Sequence, residues 1–348
     1  MHQLSYAFRV DASLEIGHGH LMRCLTLADE LSKYSHRCYF ICNKLEKNLV
    51  KKISAMGHEL FEINTGSPFN WNVDAKLTKK IIGTVQVDWL VVDHYSIDFE
   101  WENEAKGTKT KIMVIDDLAN RTHNCDILLD GNLGKTKEHY KSLIPSQSII
   151  LAGIQHCLIR EEFLMARPIS LKNRLKNKGL KNILISIGAS DPKNLTLDIL
   201  EKLEKHVLAN DCTVSTIISS VSPHLPVIQK KLLGLNFHSL LLKDVSNMAE
   251  ILLKQDIVIG GVGVSAWERC VLGIPSISIV AAQNQLQGAK ALHQSKASIV
   301  IDQDFSEGYD ISKAIDFYMS KFNLMQASQV AANLADGKGA SRAARFLM

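Results

Sequence analysis

The segment Arg9-Val10-Asp11-Ala12-Ser13-Leu14-Glu15-Ile16-Gly17-His18-Gly19-His20 puts a histidine at the mouth of a helix, behind a turn broken by glycines. Glycines such as Gly19 let a ligand come close to the backbone, because no Cβ stands in the way. A helix N-terminus adds free N–H groups and a partial positive charge. A histidine there sets a group that titrates near neutrality beside an anion site, the make-up of a proton-transfer centre. His20 opens the amphipathic stretch and is preferred to His18 as a general base. The helix terminus favours its neutral form. The competing reading is a capped helix start with solvated histidines. A metal reading is weaker, since His18 and His20 lie two apart with no third ligand nearby. Arg9 and Asp11 can bind ligand hydroxyls, orient the histidine, or form an ordinary surface ion pair.

Four further clusters carry chemistry. Val91-Val92-Asp93-His94-Tyr95 delivers a carboxylate and a phenol at a strand end, to orient a base or bind substrate, or else as an N-cap and a core tyrosine. Asp116-Asp117 ends another strand; paired acids suggest metal, but a capping role is preferred. Ser186-Ile187-Gly188-Ala189-Ser190-Asp191-Pro192 reads as a strand, a small-residue loop, an N-cap and a proline at the first helical position, able to present N–H groups to phosphate. It lacks the Gly-Lys-Ser/Thr of a P-loop. The strongest cluster is Gly260-Gly261-Val262-Gly263-Val264-Ser265-Ala266-Trp267-Glu268. Glycines ending a buried strand before a helix near Ser265 form an anion nest for a diphosphate. Glu268, one turn on, can accept both hydroxyls of a ribose. Asn284 and Gln285 offer amides at the next strand end.

The elements that must position these residues alternate. Apolar runs near Tyr6–Val10, Cys38–Cys42, Trp89–Asp93, Ile112–Asp116, Ile127–Asp130 and Ile149–Ala152 predict strands, with amphipathic helices between several of them. The alternation restarts at Ile183–Ile187, with a helix from Pro192 and strands at Val214–Ile218, Phe237–Leu241, Ile257–Ile259 and Ser276–Val280. Strands apolar throughout suit a parallel sheet covered on both faces. The expected fold is α/β: two doubly wound Rossmann-like domains facing a cleft, with ligands at the carboxyl ends of strands. The expected boundaries are 1–168, 169–330, and a C-terminal helix over 331–348 packing back on the first domain. The basic stretch Leu171–Gly179 reads as a linker or a surface helix end.

A net charge of +4 over 348 residues is too small for a general nucleic-acid binder. The seven cysteines are odd in number, scattered and without a CxxC pair, which argues against disulfides or a zinc site. No run reaches the roughly 18 apolar residues a membrane span needs, and no signal peptide is visible. The expectation is a cytoplasmic enzyme with a small-molecule substrate and no nucleic-acid or membrane partner. Its oligomeric state is open, and a monomer is compatible.

Taken in order, these islands resemble the UDP-sugar hydrolases of pseudaminic acid biosynthesis, which act on UDP-2,4-diacetamido-2,4,6-trideoxy-β-L-altropyranose. The resemblance runs through Arg9–Ser13, the GxGH turn with Met22-Arg23-Cys24, Val92–Tyr95, Ile115–Ala119, Leu158–Phe163, Ser186–Pro192, Trp267-Glu268-Arg269 and Asn284-Gln285. It implies a GT-B-like fold and attack of water on the anomeric carbon, with C–O cleavage, inversion and loss of UDP. It implies His20 as the base, the Ser265 and Glu268 segment on diphosphate and ribose, and no metal or cofactor. Gly188-Ala189 stands where relatives often carry Gly-Gly, so an Ala189 at positive φ would be strained. The alternatives are a GT-B glycosyltransferase, a hydrolysing UDP-sugar 2-epimerase, or a nucleotide-sugar binding module.

Overall fold

The computed structural model describes residues 3–13, 16–66, 68–176, 179–188, 191–206, 212–281, 285–302 and 310–348. The chain forms two compact units, Met1–Ile159 with Lys338–Met348, and Arg160–Gly337.

In the first unit, strands and helices alternate as far as β5: β1 (Ser5–Val10), α1 (Gly19–Ser32), β2 (Arg37–Cys42), α2 (Lys47–Ala55), β3 (Glu59–Glu62), α3 (Trp71–Val85), β4 (Trp89–Asp93), α4 (Phe99–Ala105) and β5 (Lys111–Ile115), followed by the strands β6 (Ile127–Asp130) and β7 (Ile149–Ala152). The seven strands are parallel, in the order β3-β2-β1-β4-β5-β6-β7. The order reverses between β1 and β4, so the loops leaving these two strands diverge and open a crevice at their carboxyl ends. Every residue of β4 is buried, as a strand covered on both faces requires. On α1 the buried face is Leu21, Cys24, Leu25, Leu27, Ala28 and Leu31, the helical spacing of the sequence. The edge strand β3 was not anticipated: Glu-Leu-Phe-Glu holds two apolar residues between charges, too short a run to stand out and a suitable guard for a sheet edge.

The second unit contains α5 (Glu161–Leu175), β8 (Asn182–Ser186), α6 (Leu195–Glu204), β9 (Thr213–Ile218), α7 (Leu225–Leu233), β10 (His238–Lys243), α8 (Met248–Leu252), β11 (Ile257–Gly261), α9 (Val264–Val271), β12 (Ser276–Ile279), α10 (Leu286–Ser295), β13 (Ser298–Ile301), α11 (Ile311–Met319) and α12 (Lys321–Leu334). Its sheet is again parallel, ordered β10-β9-β8-β11-β12-β13, with the reversal between β8 and β11. Ile183, Ile185, Val214, Ile257, Ile259 and Ile277 belong to its core.

The units divide at 159/160 and 337/338, not at the expected 168/169 and 330/331. The reason is that α5 is one helix running through residue 168, and Arg167 ties it to the second unit by donating to the carbonyls of Val271, Ala332 and Ala335. The first part of the basic stretch is the end of α5. The helix expected from Pro192 begins three residues later, at Leu195. Asp191 sets that start, its carboxylate accepting the N–H groups of Leu195 and Thr196 at 2.9 Å each.

The C-terminal α13 (Gly339–Ala344) packs on α1, and Tyr6 Oη donates to the Leu347 carbonyl at 2.9 Å. The approach depends on a glycine, because a Cβ at Gly339 would sit 2.1 Å from the Cys157 carbonyl oxygen. Gly339→Ala is expected to lower stability by about 1–3 kcal/mol, the cost of forced overpacking. An unchanged urea midpoint would show that the contact yields freely. All seven cysteines are buried and free of disulfides. Among the described residues, no helix is long and apolar enough to cross a membrane.

Candidate active site

The turn after β1 needs a glycine where it reverses. Gly17 has φ +84 and its N–H donates to the Ser13 carbonyl at 2.7 Å. His18 is the N-cap of α1 without a side-chain cap, Gly19 is the first helical residue, and a Cβ added to Gly19 would meet nothing within 4 Å. His20 follows on the first turn. Because β1 pairs with β4, with Val10 opposite Asp93, this helix start lies beside the end of β4.

There the histidine meets its partner. His20 Nδ1 lies 2.7 Å from Asp93 Oδ1, and the Tyr95 ring stands perpendicular to the imidazole at 4.6 Å between centroids. Tyr95 is therefore a half-open wall of the site and not a core tyrosine. Arg23, one helical turn beyond His20, grips the same carboxylate with two donors, Nε to Oδ2 at 2.5 Å and Nη2 to Oδ1 at 2.6 Å. Its remaining nitrogen donates to Asp117 Oδ2 at 2.9 Å. Burial alone would push the Asp93 carboxyl up; Arg23 and His20 outweigh it and hold it well below the usual carboxylate range. An ionised carboxylate only accepts hydrogen bonds, so His20 Nδ1 carries a proton, and in the neutral imidazole Nε2 holds the lone pair. The Arg23 Nη2 to Nδ1 approach of 3.2 Å is thus a close contact of charge with ring, not a second hydrogen bond.

Arg9 and Asp11 lie elsewhere in the chemistry. Arg9 is fully buried and its donors are taken: Nε and Nη2 by Asp74, both terminal nitrogens by Asp11, and Nη1 also by the Ile41 carbonyl. Asp11 accepts from Arg9, from the backbone and side chain of Asn43 at 2.8 Å each, and from His94 Nε2 at 3.1 Å. Neither is a surface ion pair, and neither leaves a hydrogen-bonding group free for a ligand. Asp11 orients His94, whose Nδ1 accepts the Ser96 N–H at 3.1 Å, whereas Asp93 orients His20. Asp116 is structural, accepting the Ala119 N–H at 2.8 Å and pairing with Arg121 at 2.7 Å.

The second unit gathers its residues at the ends of β8, β11 and β12. Gly188, with φ +139, lies in an exposed turn after β8. Gly261 ends β11, where a Cβ would come within 3.1 Å of the Ile187 carbonyl. Gly263 caps α9, and the exposed Ser265 sits on its first turn. Glu268 is not the open carboxylate of the sequence reading: Arg160 Nη2 holds its Oε1 at 3.0 Å, and burial pushes its carboxyl up against the pull of Arg160. Beneath the turn lies Arg269, which donates to the Gly261 carbonyl at 3.0 Å. Burial pulls Arg269 down to about 10, and its Nε has no hydrogen-bond partner. Gln285 closes a local turn by accepting the Ala281 N–H at 3.1 Å. Asn284 and Ala189 lie outside the described residues.

The structure thus joins His20, Asp93 and Tyr95, and separately Gly188, Gly261, Ser265 and Glu268. Sequence reasoning gave no role to Arg23 or His94 in the first unit, and it preferred a structural role for the Asp116-Asp117 pair. The signal for Arg23 was its place three residues after His20 on one helix face. Among the described residues no group of three His, Cys, Asp or Glu side chains is placed to hold a metal ion.

The chain is 32% identical over 224 residues to the UDP-2,4-diacetamido-2,4,6-trideoxy-β-L-altropyranose hydrolase of Campylobacter jejuni, covering 64% of this chain and 72% of that protein. The chain belongs to the family of that hydrolase. It is also 26% identical over 289 residues to an uncharacterized protein of Methanocaldococcus jannaschii. That match covers 82% of this chain but only 57% of the archaeal protein, so the chain spans little more than half of that relative. No protein-family model matches. Among solved structures, MurG of Acinetobacter baumannii is similar with a TM-score of 0.71 at 12% identity over 99% of both chains. The UDP-GlcNAc 2-epimerase of Neisseria meningitidis, bound to UDP-GlcNAc, reaches 0.61 at 14% identity, over 99% of both chains. These likenesses establish the fold as GT-B-like, as the resemblance implied.

Proposed function

We propose that the protein is a UDP-sugar hydrolase, and that its substrate is the one named for its Campylobacter relative, UDP-2,4-diacetamido-2,4,6-trideoxy-β-L-altropyranose, consumed in pseudaminic acid biosynthesis. The observation that carries the reading is the His20–Asp93 pair at 2.7 Å, at the topological reversal of the first sheet. It leaves Nε2 of a neutral imidazole as a base, oriented by a buried carboxylate. The water oxygen attacks the anomeric carbon from the face opposite the leaving group while His20 Nε2 takes its proton. The anomeric C–O bond breaks, its electron pair leaves with UDP, and the configuration inverts. The charge gathering on the diphosphate falls to N–H groups of the glycine-rich turn at the start of α9, with the hydroxyl of Ser265 and the buried charge of Arg269 close by. Glu268 and Gln285 serve the ribose and phosphate end, and Tyr95 bounds the sugar.

The reading is tested by running the reaction in heavy-oxygen water. Cleavage of the C–O bond predicts UDP free of label, with the label in the sugar. Label in the β-phosphate of UDP would mean P–O cleavage and overturn the mechanism. Proton NMR of the fresh product checks the substrate end, because an unchanged C2 configuration separates hydrolysis from 2-epimerisation.

A further inference from the structure

Beyond the His20–Asp93 pair, the crevice holds two more charges in a fixed sequence. Asp93 is 1% exposed, Arg23 11% and Asp117 17%, so water screens the set weakly. From the imidazole outward the charges alternate: the Asp93 carboxylate, the Arg23 guanidinium, the Asp117 carboxylate. They come from three elements, the end of β4, the first turns of α1, and the loop after β5. Cys24 adds a thiol 3.6 Å from Asp93 Oδ2, which burial and Asp93 keep protonated. The Tyr95 ring packs perpendicular to the imidazole. His18, on the turn before His20, has Glu46 Oε1 at 3.8 Å from its Nε2.

A carboxylate beside a histidine favours the protonated form, and a protonated imidazole accepts no proton. Here the carboxylate is not alone. We propose that Arg23 and Asp117 are positioning residues that set the basicity of His20: Arg23 offsets the charge of Asp93 at the imidazole, and Asp117 limits that offset. The geometry fits this division. Arg23 binds both oxygens of Asp93, so it fixes the carboxylate plane against Nδ1 and also places positive charge 3.2 Å from the ring. Asp117 touches the pair only through Arg23, and its other oxygen, Oδ1, is buried with no hydrogen-bond partner. A carboxylate bound by one oxygen to one cation contributes mainly its charge. The proposal rests on His20 as the base of the reaction above.

The opposed signs make it testable. In the full-length protein the ring protons of His20, assigned by their loss in His20→Asn, are titrated by NMR, and the acid limb of kcat/KM for UDP release is recorded in parallel. Arg23→Gln should raise the His20 midpoint by about one to two pH units, moving the acid limb up with it, because the neutral form is the active one. Arg23→Lys keeps the charge and should restore the midpoint to within about half a unit. Asp117→Asn can still accept from Arg23 and should lower the midpoint by about half a unit. Shifts of the same sign in Arg23→Gln and Asp117→Asn, or none, would overturn the proposal. If Arg23→Gln does not fold, Asp117→Asn decides alone: a rise or no shift overturns it. Midpoints that move as stated while the kcat/KM profile stays still would instead overturn His20 as the base and leave the charge tuning standing.

Discussion

His20→Asn is expected to slow UDP release by about 10²–10⁴-fold, the usual worth of a general base. Asparagine keeps a polar group against Asp93 but has no titrating nitrogen. UDP binding should survive, because the glycine-rich turn of β11 and α9 is built from residues of the other unit. The measurement is kcat/KM for UDP release from the UDP-sugar, beside UDP affinity by calorimetry. Turnover within about threefold of wild type would reject His20 as the base, since such a change is well below the general-base range. Lost UDP affinity together with lost turnover would point to a folding defect, and the melting temperature separates the two. The drop should fall on kcat more than on KM, because proton removal from water matters in the transition state and not in ground-state binding.

The second large effect is on stability. Asp74→Ala should cost about 3–5 kcal/mol, the penalty for stripping one partner from a buried ion pair. Asp74 is fully buried on α3, where it accepts from Arg9 Nε at 3.0 Å and from Trp101 Nε1 at 2.9 Å. Its loss leaves the Arg9 guanidinium with Asp11 as its one carboxylate partner and removes the acceptor of the indole N–H. Urea unfolding reads the change, and a loss below about 1 kcal/mol would mean that water or a neighbouring group replaces the carboxylate. The network also reaches the crevice, because Asp11, held by Arg9, positions His94. A destabilised variant that folds should therefore lose some activity without any contact from Asp74 to the substrate.

Much of the architecture was legible as pattern. Trp89-Leu90-Val91-Val92 announces a strand buried on both faces, and the spacing of Leu21, Cys24, Leu25 and Ala28 announces a helix. These signals are local, because a parallel strand and an amphipathic helix each impose their own period on burial. The elements that escaped, β3 and β13, are four-residue strands whose few apolar positions establish no period. The start of α6 was misplaced because Pro192 suits a first helical turn, whereas the Asp191 carboxylate caps Leu195 and Thr196 instead.

The candidate site divides in the same way. Residue type and place in the chain marked His20, Asp93 and the Gly260–Glu268 turn one by one, because polar groups and glycines just beyond apolar strands have few packing reasons to be there. How the charges pair was decided by the tertiary structure. Arg9 read as a ligand group because a charge ending an apolar strand is costly without a purpose; its purpose is Asp74, 65 positions away. His20 meets Asp93 across 73 positions, and Arg23 meets Asp117 across 94. Such distances close only when β4 and β5 line up beside β1, and strand order is a property of the whole sheet that no local period records. The sequence by itself determined which strands and helices form and which chemical groups stand at their ends. The tertiary structure alone decided which charges neutralise one another, and so which histidine nitrogen is left basic.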